Sequence, residues 1–274
     1  MRDLEGLEVV ASPFRSLGGK GRMVRQILEQ VPSDDYARWV EPFAGTCVVG
    51  FTERPARAVF NDSLPYVMEF FRMLKEGRLN PQRTCLKLKQ EYEKVAENAD
   101  YYGEVAKRLK KKGNPLDYLF LSKTCYGGAT RFSARRFFNA TFSNRIPSAK
   151  DVRRTLSRIL AIREIMTPEW EFRIGTWRVI FAELNQDDML YCDPPYFGLS
   201  TGYWPPWGRP ENEDFITACR NVPCPTLVTL WLERGKKRNP DIRRWEQNGY
   251  RCLEIPIRDY MGKNKGLDAL LVRV

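Results

Sequence analysis

Short apolar segments that end at turn residues alternate with helical hydrophobic patterns in both outer parts of this 274-residue chain. The predicted strands cover residues 37–41, 57–61, 171–174, 189–192, 226–231, 251–257 and 267–274. The predicted helices outside the central segment cover residues 23–31, 64–76, 177–184 and 241–247, and residues 42–49 are predicted as a strand-turn-helix junction. Strands that alternate with helices are typical of an open, mostly parallel α/β sheet, which binds ligands at the carboxyl ends of its strands.

The central segment, residues 82–165, differs from the rest of the chain in its charge. It contains 19 Lys and Arg against 8 Asp and Glu, whereas the remainder contains 26 of each sign, so the whole net charge of +11 lies in this segment. Polar helices are predicted over about 81–122 and an Arg-rich helix over 149–166. A positive excess confined to one segment is typical of a nucleic-acid-binding insertion. We therefore expect residues 1–81 and 166–274 to form one α/β domain, with 82–165 as a basic, mostly helical insertion.

Within the insertion, residues 130–145 interleave arginine with phenylalanine and follow neither helical nor strand periodicity. Arginine binds phosphates or the edge of guanine, whereas the phenylalanines either stack on bases or pack the loop against the protein. The composition favours nucleic-acid binding by this loop. For the lysine run at residues 110–112, contact with phosphate and a solvated helix face are equally consistent with the sequence.

The chain contains no histidine, which excludes Ser-His and Cys-His nucleophilic sites, His-ligated zinc and His general bases. Its seven cysteines are scattered with no CxxC pair, so neither a disulfide framework nor a structural zinc site is expected. The first residues lack the apolar stretch of a signal peptide, and no apolar run is long enough to cross a bilayer. We therefore expect a cytoplasmic protein with no membrane partner.

The sharpest motif is Asp193-Pro194-Pro195-Tyr196, which follows the predicted apolar strand over 189–192. Two consecutive prolines fix the backbone and remove two N–H donors, so that carbonyl oxygens stay available to accept hydrogen bonds. An acid, a carbonyl and an aromatic ring on a rigid turn suit a planar base that carries an amino group. Taken alone, Pro-Pro-Tyr is more typical of a rigid structural turn with a core tyrosine.

A second constellation follows the first two predicted strands. The segment 40–49 carries Gly45 in a turn after the first strand, and Asp62 follows the next strand 17 residues later. A glycine turn lets the backbone approach a ligand, and an acid about 20 residues further on holds ribose hydroxyls in nucleoside-cofactor sites. The sequence contains no GxxxxGK[ST] phosphate loop. A cofactor with a ribose and no phosphate chain, such as S-adenosylmethionine, therefore fits best.

In their order and placement, these motifs resemble those of the Dam-like DNA adenine methyltransferases, the D12 class or alpha group of amino-methylating enzymes. Residues 12–20, which end in Gly-Gly-Lys, are similar to the family's N-terminal cofactor motif, and 40–49 to its FxGxG loop. Asn61-Asp62 resembles the ribose-binding acid, 193–196 the catalytic DPPY, and 119–143 the segment around the FNVPFG-like stretch. The resemblance covers most of the chain and implies a Rossmann-like S-adenosylmethionine-dependent methyltransferase sheet with an inserted target-recognition domain.

The resemblance implies three sets of site residues and no metal. The catalytic residues would be Asp193, Pro194, Pro195 and Tyr196. The cofactor S-adenosyl-L-methionine would be bound by Ser16, Gly19, Lys20, Glu41, Phe43, Ala44, Gly45, Thr46, Cys47, Asp62, Thr176 and Asp193. The DNA would be contacted by Lys20, Lys123, Arg131, Arg135, Arg136, Asn139 and Arg145.

Several positions depart from the family pattern. Ser16 stands where relatives carry an aromatic residue, and Cys47 replaces the second glycine of FxGxG. Thr176 stands where many relatives have an acid that holds the adenine amino group of the cofactor. Ala140-Thr141 replaces Val-Pro in the FNVPFG-like stretch, whereas the catalytic tetrapeptide is unchanged.

The family's chemistry implies that the target adenine is flipped out of the duplex, because its N6 is not reachable while the base is stacked. Tyr196 would stack on the base. The Asp193 carboxylate and the Pro194 carbonyl would each accept an N6–H bond, which aims the N6 lone pair at the sulfonium methyl group. Lys20 would link the cofactor and DNA sides, and Arg131 is either a base or phosphate contact or a solvated surface arginine.

Double-stranded DNA is the expected partner, a cognate restriction endonuclease is a further candidate partner, and a monomer or weak dimer is expected. Methylation of N4 of cytosine, or of adenine in RNA, uses the same chemistry, although the N4 enzymes more often resemble an SPPY pattern. A nucleic-acid-binding protein that has lost catalysis is a third alternative. Pro223-Cys224 matches the dipeptide of C5-cytosine methyltransferases, but it precedes a later strand and does not follow the catalytic one, which indicates coincidence.

Overall fold

The computed structural model describes residues 4–16, 18–32, 35–133, 137–199, 206–258 and 264–273. Its centre is one sheet in which five parallel strands lie in the order β3-β2-β1-β4-β5. These strands are β1 (Arg38–Glu41), β2 (Ala58–Asp62), β3 (Trp170–Ile174), β4 (Asp188–Cys192) and β5 (Thr226–Arg234). The order 3-2-1-4-5 is that of a doubly wound, Rossmann-like sheet, so the predicted α/β class is confirmed.

The sheet continues beyond β5 with strands of mixed direction. The last strand, β8 (Asn264–Arg273), inserts antiparallel between β5 and β7 (Arg251–Arg258). A two-residue strand, β6 (Lys237–Arg238), forms a short hairpin with the end of β5. The antiparallel pairing of β5 with β8 reaches Glu233, so β5 continues past the predicted end at residue 231.

Helices cover both faces of this sheet. The connections within the α/β part contain a 3-10 turn (Lys20–Arg22) and helices α1 (Val24–Leu28), α2 (Val48–Glu53), α3 (Pro65–Lys75), α8 (Trp177–Phe181), α9 (Arg209–Arg220) and α10 (Ile242–Gln247). Between α3 and β3 the chain forms α4 (Pro81–Glu97), α5 (Tyr101–Lys112), α6 (Pro115–Thr124), a 3-10 turn (Tyr126–Gly128) and α7 (Ala149–Ile165). The basic segment is therefore mostly helical.

The predicted elements are found with small shifts at their ends, and two elements were not predicted. Helix 23–31 is shorter than expected, since α1 ends at Leu28. Helix α9 was missed because its first turn is charged and its buried apolar positions are few, Phe215, Ile216 and Cys219 being the main ones. Strand β6 was missed because a two-residue strand has no periodicity to detect.

Alternate residues of the central strands point to opposite faces, as in any pleated sheet. Trp39 and Tyr191 belong to a core that includes α3 and the insertion helices, whereas Val40 and Leu190 belong to a second core under α8, α9 and α10. In the first core Phe14 packs on Tyr118 of α6 with ring centroids 5.7 Å apart. The insertion therefore shares a hydrophobic core with the sheet.

Among the residues that the structure describes, no helix combines the length and apolar character required to cross a membrane.

Candidate active site

The strand order brings the carboxyl ends of β3, β2, β1 and β4 side by side, and a cavity of about 540 Å³ lies at this edge. It is lined by residues that follow each of the four strands, together with the Gly-Gly-Lys segment and part of the insertion. The predicted site residues that line it are Ser16, Gly19, Lys20, Glu41, Phe43, Ala44, Gly45, Thr46, Asp62, Thr176, Asp193 and Pro195. Of the other predicted site residues that the structure describes, none lines the cavity.

Asp193 directly follows β4 and is held by partners on two sides. Lys20 Nζ donates to Asp193 Oδ2 at 2.6 Å, and Thr229 Oγ1 of β5 donates to Asp193 Oδ1 at 2.8 Å. Burial raises the pKa of Asp193, while the Lys20 ammonium and these hydrogen bonds oppose that rise. The carboxylate therefore has a fixed orientation, and the Lys20 ammonium beside it compensates its charge.

The rest of the tetrapeptide forms the wall next to Asp193. Pro194 is buried, and neither it nor Tyr196 lines the cavity, whereas Pro195 does. Tyr196 is anchored by its hydroxyl, which donates to Asp268 Oδ2 at 3.2 Å, and its ring centroid lies 5.1 Å from Lys20 Nζ. Asp268 in turn accepts from Arg234 at 2.5 Å. Lys20 thus contacts both the acid and the aromatic ring of the motif.

The glycine turn after β1 is tied to the end of β2. Gly45 has φ 49°, which favours glycine, and its N–H donates to Asp62 Oδ2 at 2.9 Å. The other Asp62 oxygen accepts from the Leu64 N–H at 2.8 Å, and burial raises the pKa of this carboxyl. The Ser63 N–H also interacts with this carboxylate, which still retains an acceptor position. Asp62 is therefore rigidly placed in the cavity wall and still able to bind hydroxyl groups.

Cys47 lies behind the turn and does not line the cavity, since its side chain is fully buried. Its backbone adopts φ 59° and ψ 20°, the left-handed conformation that glycine adopts without strain. A non-glycine residue there costs roughly 1–2 kcal/mol. This backbone position explains why the similar motif has glycine, and it shows that the cysteine preserves the shape of the turn without a direct part in the cavity.

The corner between β3 and α8 completes the far end of the cavity. Asn61 Nδ2 donates to the carbonyl oxygens of Pro42 and Gly175 at 2.9 and 3.1 Å, which joins the ends of β1, β2 and β3. Thr176 caps α8, and its hydroxyl accepts from the Arg178 N–H at 3.4 Å. Thr176 lies in the wall as predicted, but its hydroxyl is engaged in the cap.

Glu41 lies beneath the glycine turn and is almost completely buried, with 2% of its surface exposed. Trp39 Nε1 donates to Glu41 Oε1 at 2.8 Å, and burial raises the pKa of this carboxyl to about 8. A Cβ atom at Gly50 would lie 2.7 Å from the same oxygen. The glycine at position 50 is therefore required by the close approach of α2 to this buried acid.

The Arg/Phe loop folds onto the insertion by way of its phenylalanines. Phe132 and Phe138 form an isolated antiparallel β-bridge, and both side chains are buried. Phe132 also lines the cavity, together with Thr130. Of the two roles considered for these two rings, packing is thus the one observed. Arg131 and Asn139 are exposed and adjacent, since the Asn139 N–H donates to the Arg131 carbonyl oxygen at 3.0 Å.

The other predicted DNA-contacting residues are dispersed. Arg145 is exposed at the end of the loop, and Arg135 and Arg136 lie outside the described residues. Lys123, at the end of α6, is half-buried, and burial together with the nearby Arg158 and Arg154 lowers its pKa to about 8. The structure therefore places Lys123 close to Arg154 and Arg158 of α7.

Cys224 is buried just before β5, at the end of that strand opposite the cavity. Burial raises the pKa of its thiol to about 12. A nucleophilic cysteine requires an accessible thiolate. The resemblance of Pro223-Cys224 to the C5-cytosine dipeptide is therefore a coincidence, as the sequence position indicated.

Several cavity residues were not identified from the sequence. They come from the start of α8 and the region leading into α9 (Trp177, Arg178, Trp207 and Glu211), from the turn after β2 (Ser63 and Leu64), and from the insertion (Tyr118, Thr130 and Phe132). The residues after Asp62 could have been inferred, since they follow a strand at the ligand edge. Trp207 and Glu211 carried no such signal, because α9 itself was not predicted.

Comparison with known proteins places these observations in a family. The model of the D12 class N6 adenine-specific DNA methyltransferases matches residues 16–203. Modification methylase StsI of Streptococcus sanguinis is 28% identical over 201 residues, which is 70% of this chain and 29% of that protein. Type II methyltransferase M.FokI of Planomicrobium okeanokoites is 24% identical over 196 residues, 70% of this chain and 30% of that protein.

The DNA adenine methylase of Vibrio cholerae is 25% identical over 189 residues, covering 67% of this chain and 64% of that protein. The chain thus spans less than a third of the first two relatives and just under two thirds of the third. The matched segment, residues 16–203, includes the Gly-Gly-Lys segment, the glycine turn, the insertion and the tetrapeptide at 193–196. The chain belongs to the D12 class of N6 adenine-specific DNA methyltransferases.

Proposed function

We propose that this chain transfers a methyl group from S-adenosyl-L-methionine to N6 of an adenine flipped out of double-stranded DNA. One observation carries the proposal: Asp193, at the carboxyl end of β4, lines the same cavity as Gly45 and Asp62 at the ends of β1 and β2. Asp193, which can accept hydrogen bonds from an amino group, therefore lies in the same cavity as the turn and acid that would bind a nucleoside. The family membership supports the same reaction.

The residues of the cavity fit the cofactor. Its volume of about 540 Å³ lies within the range of roughly 300–1,000 Å³ typical of small-molecule sites. Asp62 would accept hydrogen bonds from ribose hydroxyls, the turn at Gly45 would contact the methionine part, and Phe43 and Trp177 would supply apolar walls. When bound, the cofactor supplies an electrophilic methyl group.

The chain's own groups would orient the target nitrogen. Asp193 and the Pro194 carbonyl would each accept one N6–H bond, which removes the nitrogen lone pair from conjugation with the ring and directs it towards the cofactor. Lys20 and Thr229 hold the Asp193 carboxylate in one orientation, so little reorganisation is needed during the reaction. Because burial raises the pKa of Asp193, this carboxylate is also suited to accept the proton that N6 releases.

The DNA would lie along the insertion, where the positive excess is concentrated. Arg131 and Asn139 are exposed beside the cavity-lining residues Thr130 and Phe132, so they are the contacts that we assign to the duplex near the flipped base. The half-buried Lys123 is left out of this assignment. As a modification enzyme, the chain would protect DNA from a restriction endonuclease that recognises the same sequence.

The test is methyl incorporation from S-adenosyl-L-methionine with a tritiated methyl group into duplex DNA and into RNA of the same sequence. Hydrolysis and chromatography then identify the labelled base. We expect N6-methyladenine from DNA, and an Asp193→Ala variant that is slower by roughly 100-fold or more. Full activity of Asp193→Ala would overturn the proposal. Label found in N4-methylcytosine or in RNA would show that the substrate differs from the proposed one. DNA binding without methyl transfer would show that the chain is a nucleic-acid-binding protein without this activity.

A further inference from the structure

The cavity end at the β3–α8 corner lacks the acid that the family resemblance leads one to expect there. Thr176 stands at that position, and its hydroxyl accepts from the Arg178 N–H as the cap of α8. A threonine hydroxyl is also a weaker acceptor than a carboxylate for an amino group. An adenine amino group bound at this end would therefore need its acceptor from another element.

Helix α9 brings a carboxylate to the same end. Glu211, in the first turn of α9, lines the cavity together with Thr176 and Trp177. Phe215 lies one helical turn further along the same face, and its ring packs 5.4 Å from Phe43 and 5.5 Å from Trp177. The face of α9 that carries Glu211 is therefore the face that packs on the β1 and β3 ends of the cavity.

The charged residues around this face leave the Glu211 carboxylate able to accept a hydrogen bond from a ligand. Arg178, the nearby cation of the wall, pairs with Asp214 at 2.6 Å and stacks over the ring of Trp177 at 4.7 Å. Glu211 Oε2 accepts from the Gly208 N–H at 3.1 Å, as in a capping box. Among the residues that the structure describes, no cation pairs with Glu211. Its carboxylate is thus held in place by the helix cap and retains acceptor positions towards the cavity.

We propose that Glu211 accepts the hydrogen bond of the exocyclic amino group of the cofactor's adenine, in place of the acid that is absent at Thr176. Glu211 is then a specificity-determining residue, because it selects an adenine ring with an amino group over a ring with an oxygen at the same position. This inference rests on the proposed function, since it assigns the cofactor's adenine to the β3–α8 end of the cavity.

The experiment compares two ligands by calorimetry: S-adenosyl-L-homocysteine, and S-inosyl-L-homocysteine, in which a 6-oxo group replaces the amino group. The oxo oxygen repels a carboxylate, so the wild-type protein is expected to bind the adenosyl compound roughly 10- to 100-fold more tightly. In Glu211→Gln the amide still caps α9 and also donates to a 6-oxo group, so the two affinities are expected to become similar. Glu213→Gln, which changes a partly exposed glutamate of the same helix that pairs with Arg209 and Arg244 and does not line the cavity, is the matched control and should keep the wild-type ratio.

The ratio of the two affinities is a property that a purely structural role of Glu211 would not change. If Glu211→Gln weakens both ligands equally, or leaves the ratio at the wild-type value, the assignment of Glu211 is wrong while the proposed methyl transfer stands. If the wild-type protein binds neither ligand, the proposed function itself fails. A ratio that falls only in Glu211→Gln, and not in Glu213→Gln, supports the assignment.

Discussion

Lys20 and Asp193 are 173 residues apart in the chain and form an ion pair at the carboxyl end of β4, with 2.6 Å between Lys20 Nζ and Asp193 Oδ2. Lys20 is 8% exposed, and its ammonium also donates to the Gly18 carbonyl oxygen at 3.0 Å. The Gly-Gly-Lys segment therefore lies against the carboxyl end of β4 and supplies the positive charge that offsets the cost of partly burying Asp193. Removal of Asp193 leaves Lys20 buried without its counter-charge, and removal of Lys20 leaves the partly buried Asp193 without its cation.

The first prediction concerns the pH dependence of methyl transfer. Burial raises the pKa of Asp193, and the Lys20 ammonium is the largest influence that lowers it. Lys20→Met is therefore expected to raise this pKa further, which moves the acid limb of the kcat/KM profile to higher pH. Lys20→Arg keeps the cation and should stay close to the wild-type limb. Superimposable profiles for Lys20→Met and the wild type would show that the ion pair does not control the ionisation of Asp193.

The second prediction concerns stability and Glu41. Burial raises its pKa in the folded protein to about 8, whereas an unfolded glutamate ionises near 4.3. The folded state thus keeps a proton that the unfolded state releases, so this contribution to stability is present at low pH and is lost as the pH rises towards 8. Relative to Glu41→Gln, the free energy of unfolding of the wild type should fall by a few kcal/mol between about pH 5 and pH 8. Urea denaturation at intervals across this range measures the difference, and parallel curves would refute the assignment.

A third prediction uses two glycines in helices. A Cβ at Gly50 would lie 2.5 Å from a Phe60 ring carbon and 2.8 Å from Trp39 Nε1, both fully buried, so Gly50→Ala should destabilise the fold by about 1–3 kcal/mol or more. A Cβ at Gly103 in α5 would have no atom within 4 Å outside its own helix backbone and chain neighbours, so Gly103→Ala should be neutral or stabilising by up to about 1 kcal/mol. Thermal or urea unfolding distinguishes the two. Equal effects would mean that α2 lies further from the sheet than described.

The fourth prediction concerns the DNA-binding face. Arg131→Ala should weaken DNA binding and reduce the slope of log affinity against log salt by about 1 if the side chain contacts phosphate, while binding of S-adenosyl-L-homocysteine stays unchanged. Arg57 is also exposed, but it precedes β2 at the opposite edge of the sheet, so Arg57→Ala is the control and should have no effect. Fluorescence anisotropy with a labelled duplex at several salt concentrations provides both quantities. Equal DNA affinity for Arg131→Ala and the wild type would show that Arg131 does not contact the DNA.

The parts of the site that were predictable from the sequence are those encoded locally. Gly45 and Asp193 each follow an apolar strand and Asp62 ends one, and the parallel order of these strands brings their ends to one edge. Thr229 was not predictable, although it donates to Asp193 at 2.8 Å. Its position depends on the pairing of β4 with β5, in which Cys192 lies opposite Val228, and no local pattern specifies that register.

The insertion shows a similar division. Its positive excess is a property of composition, so it was visible without a structure, whereas the role of each phenylalanine depends on tertiary contacts. Phe132 and Phe138 pack against each other with ring centroids 5.4 Å apart, and Tyr118 lies 6.2 Å from Phe132. Composition cannot distinguish such buried rings from rings that stack on bases. Glu211 illustrates the same limit, because it reaches the cavity through the packing of α9.

The most direct test of the central claim is to sequence single DNA molecules from a methylation-deficient bacterial host that expresses either the wild-type chain or the Asp193→Ala variant. Modified-base detection reports both the base and its sequence context. We predict N6-methyladenine at one recognition sequence in DNA from the wild-type culture and none at that sequence in DNA from the Asp193→Ala culture. Equal N6-methyladenine in both cultures, or another modified base in the wild-type culture, would contradict the account.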